Sequence, residues 1–486
     1  MRTNVSSKNK KQTEKPIHIP HELMQFVQRN TYSLLIKGYA GTGKTTLSLT
    51  ILRTLKIKSN FFYISTRISP KQLFLYYPWL GKFVGRPKVS ESNEELGQDY
   101  NLSSFEDARL DEPESLFERI TNQLMDVKAP IIIIDSWDAI ASFMDKEARL
   151  NNERVLQTWR ERAGAKLIFI SEDPKDTTLD FLVDGIVELG QTFYGNIRIR
   201  EIFLSKLRGV MIRKPSYIYS LNDGIFRSYD IYNPSDFISS ANSSIAFNKI
   251  EHIFQSVFEG PHIASGYPEL DTILGGGFPK KGMVLVELDS AINTTVTTTF
   301  LVKIMSNFVG TCNPILLQPS DGFDPGVIIP YLCADSENKL VKIFVPTNKN
   351  KCISDSNMSS CTKLDNFGKL FELFYDIVIK TRKEHPNKLI LNVMDADMFK
   401  KMHNYREING IETIPFLKAN IDLSLIVIRH SQNIRGCLSG LSDVHIRLTI
   451  INGTLFLQSL IPYAYLHAIV IDRSAGYPKI NLEPIV

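Results

Sequence analysis

Cysteine is scarce in this chain and badly spaced for chemistry. The five residues Cys312, Cys333, Cys352, Cys361 and Cys437 all fall in the second half, odd in number and without a C-x-x-C pair. That pattern excludes a zinc ribbon or a disulfide framework read from spacing, and it fits thiols kept reduced in a cytosol. The nine histidines contain no H-x-x-x-H pair, so they mark no metal centre either. Long hydrophobic runs are missing too: Ile131-Ile132-Ile133-Ile134 is strand-length, far short of a membrane span. Residues 1–20 are polar, and no secretory signal is read there. Neither sign of charge is in excess. Lys and Arg number 56 against 52 Asp and Glu, a net +4 that is too small to argue for nucleic acid. These absences together predict a cytoplasmic protein without a membrane segment.

What is present is a complete phosphate-binding pattern. Gly38-Tyr39-Ala40-Gly41-Thr42-Gly43-Lys44-Thr45-Thr46 matches G-x-x-x-x-G-K-[ST], between the apolar run Leu34-Leu35-Ile36 and a helical stretch over 47–55. Glycines let successive backbone N–H groups turn toward phosphate oxygens, and a helix N-terminus adds partial positive charge. The pattern predicts that these nine residues bind ATP, with Lys44 on the β- and γ-phosphates and Thr45 on Mg²⁺. An acid ending a neighbouring buried strand is the expected partner. Asp135, closing the isoleucine run, supplies it as an acceptor from Thr45 or as a metal ligand.

A chain of 486 residues exceeds one ordinary core and predicts two or three domains. Residues 1–18 read as a disordered basic tail. From 19 to 230 strands and helices alternate, with strands at 32–37, 60–65, 131–135, 166–171 and 185–189. An acid-rich loop insertion lies over 90–113, and an antiparallel extension over 197–206 and 217–221. Residues 231–258, rich in Ser and Asn early on, read as a linker. The pattern then restarts over 259–486, with strands at 283–288, 314–318, 389–394 and 423–429, a helix at 296–308 and a polar loop at 350–365. The predicted class is α/β, a mostly parallel, doubly wound sheet written twice.

Two further groups are candidates. Glu172, at the end of the 166–171 strand, could polarise an attacking water as a catalytic carboxylate, or be a surface acid. Lys206 and Arg208 share a strand face and could neutralise transferring phosphate, Arg208 as an arginine finger, or be solvated.

Several stretches resemble the KaiC/RadA-like branch of the RecA superfamily. They are Ser265-Gly266-Tyr267-Pro268-Glu269-Leu270-Asp271 through Leu274-Gly275-Gly276-Gly277-Phe278-Pro279, then Asp184-Gly185-Ile186-Val187-Glu188-Leu189, and Lys206-Leu207-Arg208-Gly209. The resemblance implies two tandem RecA-like P-loop NTPase domains, a homo-oligomer, and a K-x-R pair set against a neighbouring subunit's nucleotide. More closely, Tyr32 to Gly38, Ser65-Thr66-Arg67-Ile68-Ser69-Pro70 and Asp135-Ser136-Trp137-Asp138 resemble the archaeal gas-vesicle regulatory protein D family. That likeness implies a regulatory ATPase acting on a protein partner.

Two departures from this branch matter. Its catalytic glutamate at the end of the second strand is replaced by Ser65-Thr66-Arg67. In the second half the P-loop position reads Glu287-Leu288-Asp289-Ser290-Ala291-Ile292-Asn293-Thr294-Thr295, with Leu288, Ala291 and Asn293 in place of glycines, Thr294 in place of lysine, and Asp289, which would repel phosphate. The second domain is therefore expected to keep the fold with a degenerate nucleotide site, despite Asp395 ending the matching strand. The resulting expectation is a slow, ATP-dependent switch, with ATP ordering Arg67, Lys206 or Arg208 at a subunit boundary. A KaiC-like autokinase, a DNA-acting ATPase and an ATP-binding scaffold without turnover stay open as alternatives. No basic, aromatic-interleaved groove supports DNA.

Overall fold

A computed structural model of the chain describes residues 18–84, 103–109, 112–124, 127–144, 147, 155–156, 158, 160–161, 164–175, 179–237, 260–318, 340–346, 361–364, 370–402, 413–430, 432, 435–472 and 479–485. It divides into two compact units, Met1–Asp230 with Ile485–Val486, and Ile231–Pro484. The predicted basic tail, but for His18, lies outside the described residues.

In the first unit α1 (His21–Val27) leads into β1 (Tyr32–Gly38), α2 (Lys44–Thr54), β2 (Phe61–Ser65), α3 (Pro70–Tyr76) and α4 (Pro78–Val84). Then come β3 (Ser103–Asp107), α5 (Pro113–Leu124), β4 (Ile131–Asp135), α6 (Trp137–Ala141), β5 (Lys166–Ser171), β6 (Gly185–Tyr194), β7 (Ile197–Leu207), β8 (Ser216–Ser220) and β9 (Arg227–Ser228). The nine-stranded sheet runs β3-β2-β4-β5-β1-β6-β7-β8-β9. It is parallel from β3 through β6 and antiparallel beyond.

Every residue of β1 and β4 is buried, because a parallel sheet is covered on both faces and its central strands need no polar side. Strand alternation sends Leu34, Ile36, Ile131 and Ile133 to the face covered by Leu47 and Ile51 of α2. Leu35, Ile132 and Ile134 go to the other face, against Leu116, Phe117 and Ile120 of α5 and the buried Trp137. Each such buried aliphatic side chain contributes about 1.5–3 kcal/mol relative to exposure. The central strands are thereby fixed, and with them the loops at their carboxyl ends.

One strand departs from the expected loop insertion. β3 pairs in parallel with β2, and Phe105 packs its ring against Phe61 (5.4 Å) and Phe74 (5.0 Å). A single aromatic among serines and acids is enough for an edge strand, whose outer side needs no apolar cover. Residues 90–102, 110 and 111 of that insertion lie outside the described residues.

The second unit repeats the arrangement. A short pair, β10 (His262–Ile263) and β11 (Phe278–Pro279), precedes β12 (Gly282–Leu288), β13 (Ile315–Gln318), β14 (Val341–Pro346), β15 (Cys361–Leu364) and β16 (Leu391–Asp395). β17 (Leu423–Arg429), β18 (Val444–Ile451), β19 (Thr454–Ile461), β20 (His467–Asp472) and β21 (Lys479–Pro484) complete a ten-stranded sheet. Its order is β15-β14-β13-β16-β17-β12-β18-β19-β20-β21. β12 lies between β17 and β18 as β1 lies between β5 and β6, and the helix Thr294–Gly310 follows it as α2 follows β1.

Two segments differ from the sequence expectation. The polar 350–365 loop contains β15, paired with β14; residues 350–360 and 365 lie outside the described residues. Within the predicted linker, Tyr232 packs on the second unit's core and its N–H donates to Gly453 O (2.6 Å). A single aromatic anchor hidden in a polar composition accounts for that difference. Residues 238–258 lie outside the described residues.

Among the described residues no helix is long and apolar enough to cross a membrane.

Candidate functional site

β1 delivers the chain to the carboxyl edge of the first sheet at Gly38. A Cβ there would sit 2.5 Å from Leu189 O on β6, so only glycine allows this approach. At Gly43, φ is +93° and a Cβ would lie 2.7 Å from both methyl carbons of Leu221, so glycine is required twice over. Tyr39 and Ala40 are exposed at the loop's crest, and Thr42 Oγ1 donates back to Tyr39 O (2.8 Å). The loop is braced from the antiparallel extension by Tyr219, whose hydroxyl donates to Thr42 O (2.5 Å).

Lys44 arches over this loop, its Nζ donating to Gly38 O (2.7 Å) and Tyr39 O (3.0 Å). Burial lowers its pKa, while Glu172, Asp135 and Asp138 pull it back up. Thr45 Oγ1 donates to Asp135 Oδ2 (2.6 Å), and the Tyr63 hydroxyl donates to the same oxygen (2.5 Å). Burial pushes the Asp135 carboxyl above its ordinary pKa, opposed by these two hydrogen bonds and by Lys44. Thr46 shares a hydrogen bond with the Tyr77 hydroxyl (2.9 Å).

No side chain caps α2, whose N-cap is Gly43, so its first-turn N–H groups and partial positive charge are left for an anion. Loop amides, the Lys44 ammonium, and Thr45 backed by Asp135 form a donor set that fits a Mg²⁺-bound triphosphate.

Glu172 stands beside this loop, bridged to Arg67 (Oε2–Nη2 2.8 Å). Its backbone N–H donates to Asp138 Oδ2 (2.5 Å), and Ser171 Oγ donates to Asp138 Oδ1 (3.0 Å). Asp138 therefore ties the ends of β4 and β5 together, and Arg67 and Glu172 meet at the rim. At the end of β2, Ser65 Oγ donates to Ile68 O (2.5 Å), so no carboxylate stands at that strand end.

Lys206 and Arg208 are elsewhere. Leu207 pairs with Gly185, which pairs with Leu34, so the K-x-R pair is level with the start of β1. Four strand residues, about 13 Å, separate that level from Gly38. Lys206 Nζ donates to Asp180 O (2.8 Å), and Arg208 Nη1 lies 3.3 Å from Asp184 Oδ1. The chain does not bring them to its own P-loop.

Sequence reasoning passed over Tyr63, Tyr77, Tyr219 and Leu221. Tyr63 and Tyr219 lie in apolar strands, where an aromatic reads as core, and nothing in the spacing of Tyr77 or Leu221 says that either meets the site. It also missed Arg200, which pairs with Tyr219 across β7 and β8, is 7% exposed, and leaves Nε and Nη1 without a hydrogen-bond partner.

The corresponding loop of the second unit satisfies itself. Asn293 caps the helix Thr294–Gly310, its Oδ1 accepting from Val296 N (3.2 Å), which takes the place an anion would need. The Asp289 carboxylate accepts from Ser290 N (2.7 Å) and Thr449 Oγ1 (3.1 Å), adding negative charge at the turn. Arg429 Nη1 donates to Ile292 O (3.0 Å), and Asp395 accepts from Asp397 N (2.7 Å). These residues do not fit a nucleotide phosphate.

One strand residue before that loop, Glu287 is fully buried. Its oxygens meet His430 Nδ1 (2.6 Å), His445 Nε2 (2.8 Å), Arg435 Nε (2.8 Å) and Arg447 Nε (3.2 Å). Burial alone would raise its carboxyl, but the hydrogen bonds to His445, His430 and Arg435 and the charge of Arg447 together hold it far below the usual carboxylate range. Among the described residues no group of three or more His, Cys, Asp or Glu is placed to hold a metal ion.

A family model described as GvpD gas vesicle protein, P-loop domain, matches residues 23–204. Protein GvpD2 of Halobacterium salinarum is 23% identical over 96% of this chain and 96% of its own length. Protein GvpD1 of the same organism is 25% identical over 64% of this chain and 58% of that protein. The circadian clock oscillator protein KaiC of Thermostichus vulcanus is 24% identical over 57% of this chain and half of that protein. With the intact loop in the first unit and the doubled sheet order, the chain has the fold of two tandem RecA-like domains, the first similar to the GvpD P-loop domain and the whole chain similar to GvpD and, more weakly, to KaiC proteins.

Proposed function

We propose that the chain is a cytoplasmic, nucleotide-dependent switch of the GvpD kind. It binds one Mg·ATP in the first unit, hydrolyses it slowly and signals through a protein partner. The observation that carries this reading is the Thr45–Asp135 hydrogen bond beside an uncapped α2 and the Lys44 ammonium. Lys44 would move its two donor bonds from Gly38 O and Tyr39 O to phosphate oxygens. Thr45 and Asp135 would hold Mg²⁺, which when bound screens the phosphate charge. Slow turnover follows from the side chains present: Ser65 cannot accept a water's proton, and Glu172 is held by Arg67.

Lys206 and Arg208 support a head-to-tail homo-oligomer. At the edge away from their own P-loop, they can serve only a nucleotide held by another copy, Arg208 as the catalytic finger and Lys206 as a phosphate contact. The second unit, its loop closed by Asn293, would serve assembly or partner binding.

Mixing Lys44→Ala chains with Arg208→Ala chains tests the arrangement. Each variant alone should release phosphate no faster than background, and the mixture should recover up to about a quarter of parental activity. No recovery, with both variants folded and associated, rules out action between copies. Turnover in Lys44→Ala equal to the parent rules out the site itself. Transfer of label from γ-labelled ATP onto the chain would favour an autokinase over a hydrolase.

A further inference from the structure

At the edge of the first unit away from the P-loop, Arg29, Tyr32, Arg160, Glu161, Asp184 and Arg208 line a cavity of about 370 Å³. Three guanidinium groups face two carboxylates there, a surplus of one positive charge. Asp184 is already fully engaged: its Oδ2 accepts from Arg160 Nη1 (2.6 Å), Ser33 N (3.1 Å) and Ser33 Oγ (3.0 Å), and its Oδ1 from Arg208 Nη1 (3.3 Å). Arg29 donates to the carbonyls of Arg208 and Gly209, which fixes the wall behind the opening. Each guanidinium carries five N–H groups, so these bonds leave donors on all three arginines. Glu161 is exposed, and its charge is largely screened by water.

An independent sign comes from Tyr32. It is 1% exposed, lines this cavity, and its hydroxyl is buried without a hydrogen-bond partner. A buried hydroxyl left unpaired is costly, so such groups are normally met by water or by a ligand. Burial raises its pKa, which keeps it a donor. Donors therefore converge on a space large enough for a small ligand, with no acceptor among the described residues for the innermost one.

We propose that this cavity binds an oxyanion of the phosphate class. The Tyr32 hydroxyl donates at its inner wall, and Arg29, Arg160 and Arg208 surround the anion at its mouth. Arginine forks match tetrahedral and planar oxyanions in two-point contacts, which a lone ammonium does not. The anion has two sources: free phosphate, or a phosphate of a nucleotide seated in a second copy's P-loop.

Two arms separate these sources. In the first, full-length Lys44→Ala is titrated with inorganic phosphate by calorimetry, so the P-loop does not contribute. One site per chain is expected, weakened about tenfold by adding Tyr32→Phe, with thermal stability unchanged because the hydroxyl makes no bond to lose. In the second, self-association of the chain with Lys44 intact is followed by sedimentation with a non-hydrolysable Mg·ATP analogue. If free phosphate does not bind but this association weakens about tenfold in Tyr32→Phe, the oxyanion arrives on a second copy. Phosphate binding and association both indifferent to Tyr32→Phe, or both absent, overturn the proposal. Because the first arm dispenses with Lys44, failure of the nucleotide reading and failure of this one are separate results.

Discussion

Replacing Glu287 by glutamine keeps the shape of the second unit's buried acid and removes its charge. Two guanidinium groups within 3.2 Å and two imidazoles then face a neutral amide. At an effective dielectric constant of about 20, a charge pair at that range is worth roughly 5 kcal/mol before desolvation. Breaking one member of a buried pair typically costs about 3–5 kcal/mol. His430 is 54% exposed, so solvent screens it and it is counted at nothing, while Arg435 and Arg447 are a third and a fifth exposed. The expected loss is therefore at the lower end, about 3 kcal/mol.

The assay is amide hydrogen exchange read by mass spectrometry on peptides covering β12 and β18. The three tryptophans, Trp79, Trp137 and Trp159, all lie in the first half, so their fluorescence gives a separate reading of the first unit. Opening of β12 and β18 should speed by about two powers of ten in Glu287→Gln at pH 7. The carboxyl is depressed below its ordinary value of 4.5 in the folded state. Its stabilisation is thus fully present above that value and is lost as pH falls below it. Parental β12 should lose protection on acidification through pH 4, and Glu287→Gln should lack that part of the response. Exchange in Glu287→Gln within about threefold of the parent at pH 7 would refute the reasoning.

Gly43→Ala must place a Cβ 2.7 Å from Leu221 at φ +93°. A loss of about 2–3 kcal/mol is expected from the clash and the left-handed backbone together, seen as a lower fluorescence-detected melting temperature. Asp135→Asn should weaken Mg-nucleotide binding about 10–100-fold while leaving Mg-free binding nearly unchanged, measured with a fluorescent analogue. Because the Asp135 carboxyl titrates above its ordinary pKa, parental Mg-dependent affinity should rise as pH increases through that raised value and stay flat above it. Tyr63→Phe removes a bond to the carboxylate, so it should carry that rise to higher pH.

Much of this was legible in the sequence, for physical reasons that differ by element. The isoleucine run of β4 and the Gly38–Thr46 pattern are local signals: a fully buried strand and a phosphate loop each need their residue types in an unbroken stretch. Asp135 could be placed because a strand's carboxyl end is fixed by the strand. β3 escaped because an edge strand needs only Phe105 to hold it. The loop's tyrosines escaped because their partners are 31 to 177 residues distant. Glu287 escaped for the same reason: its two imidazole and two guanidinium neighbours come from segments about 140 to 160 residues further on. The second unit's loss of lysine was readable, but its replacement by an Asn293 cap required seeing which N–H the side chain meets.

Titration of the full chain with Mg·ATP by calorimetry tests the central claim most directly, that chemistry is confined to the first unit. One site per chain is predicted, weakened at least a hundredfold in Lys44→Ala. Two sites per chain, or an affinity that Lys44→Ala leaves unchanged, would contradict it.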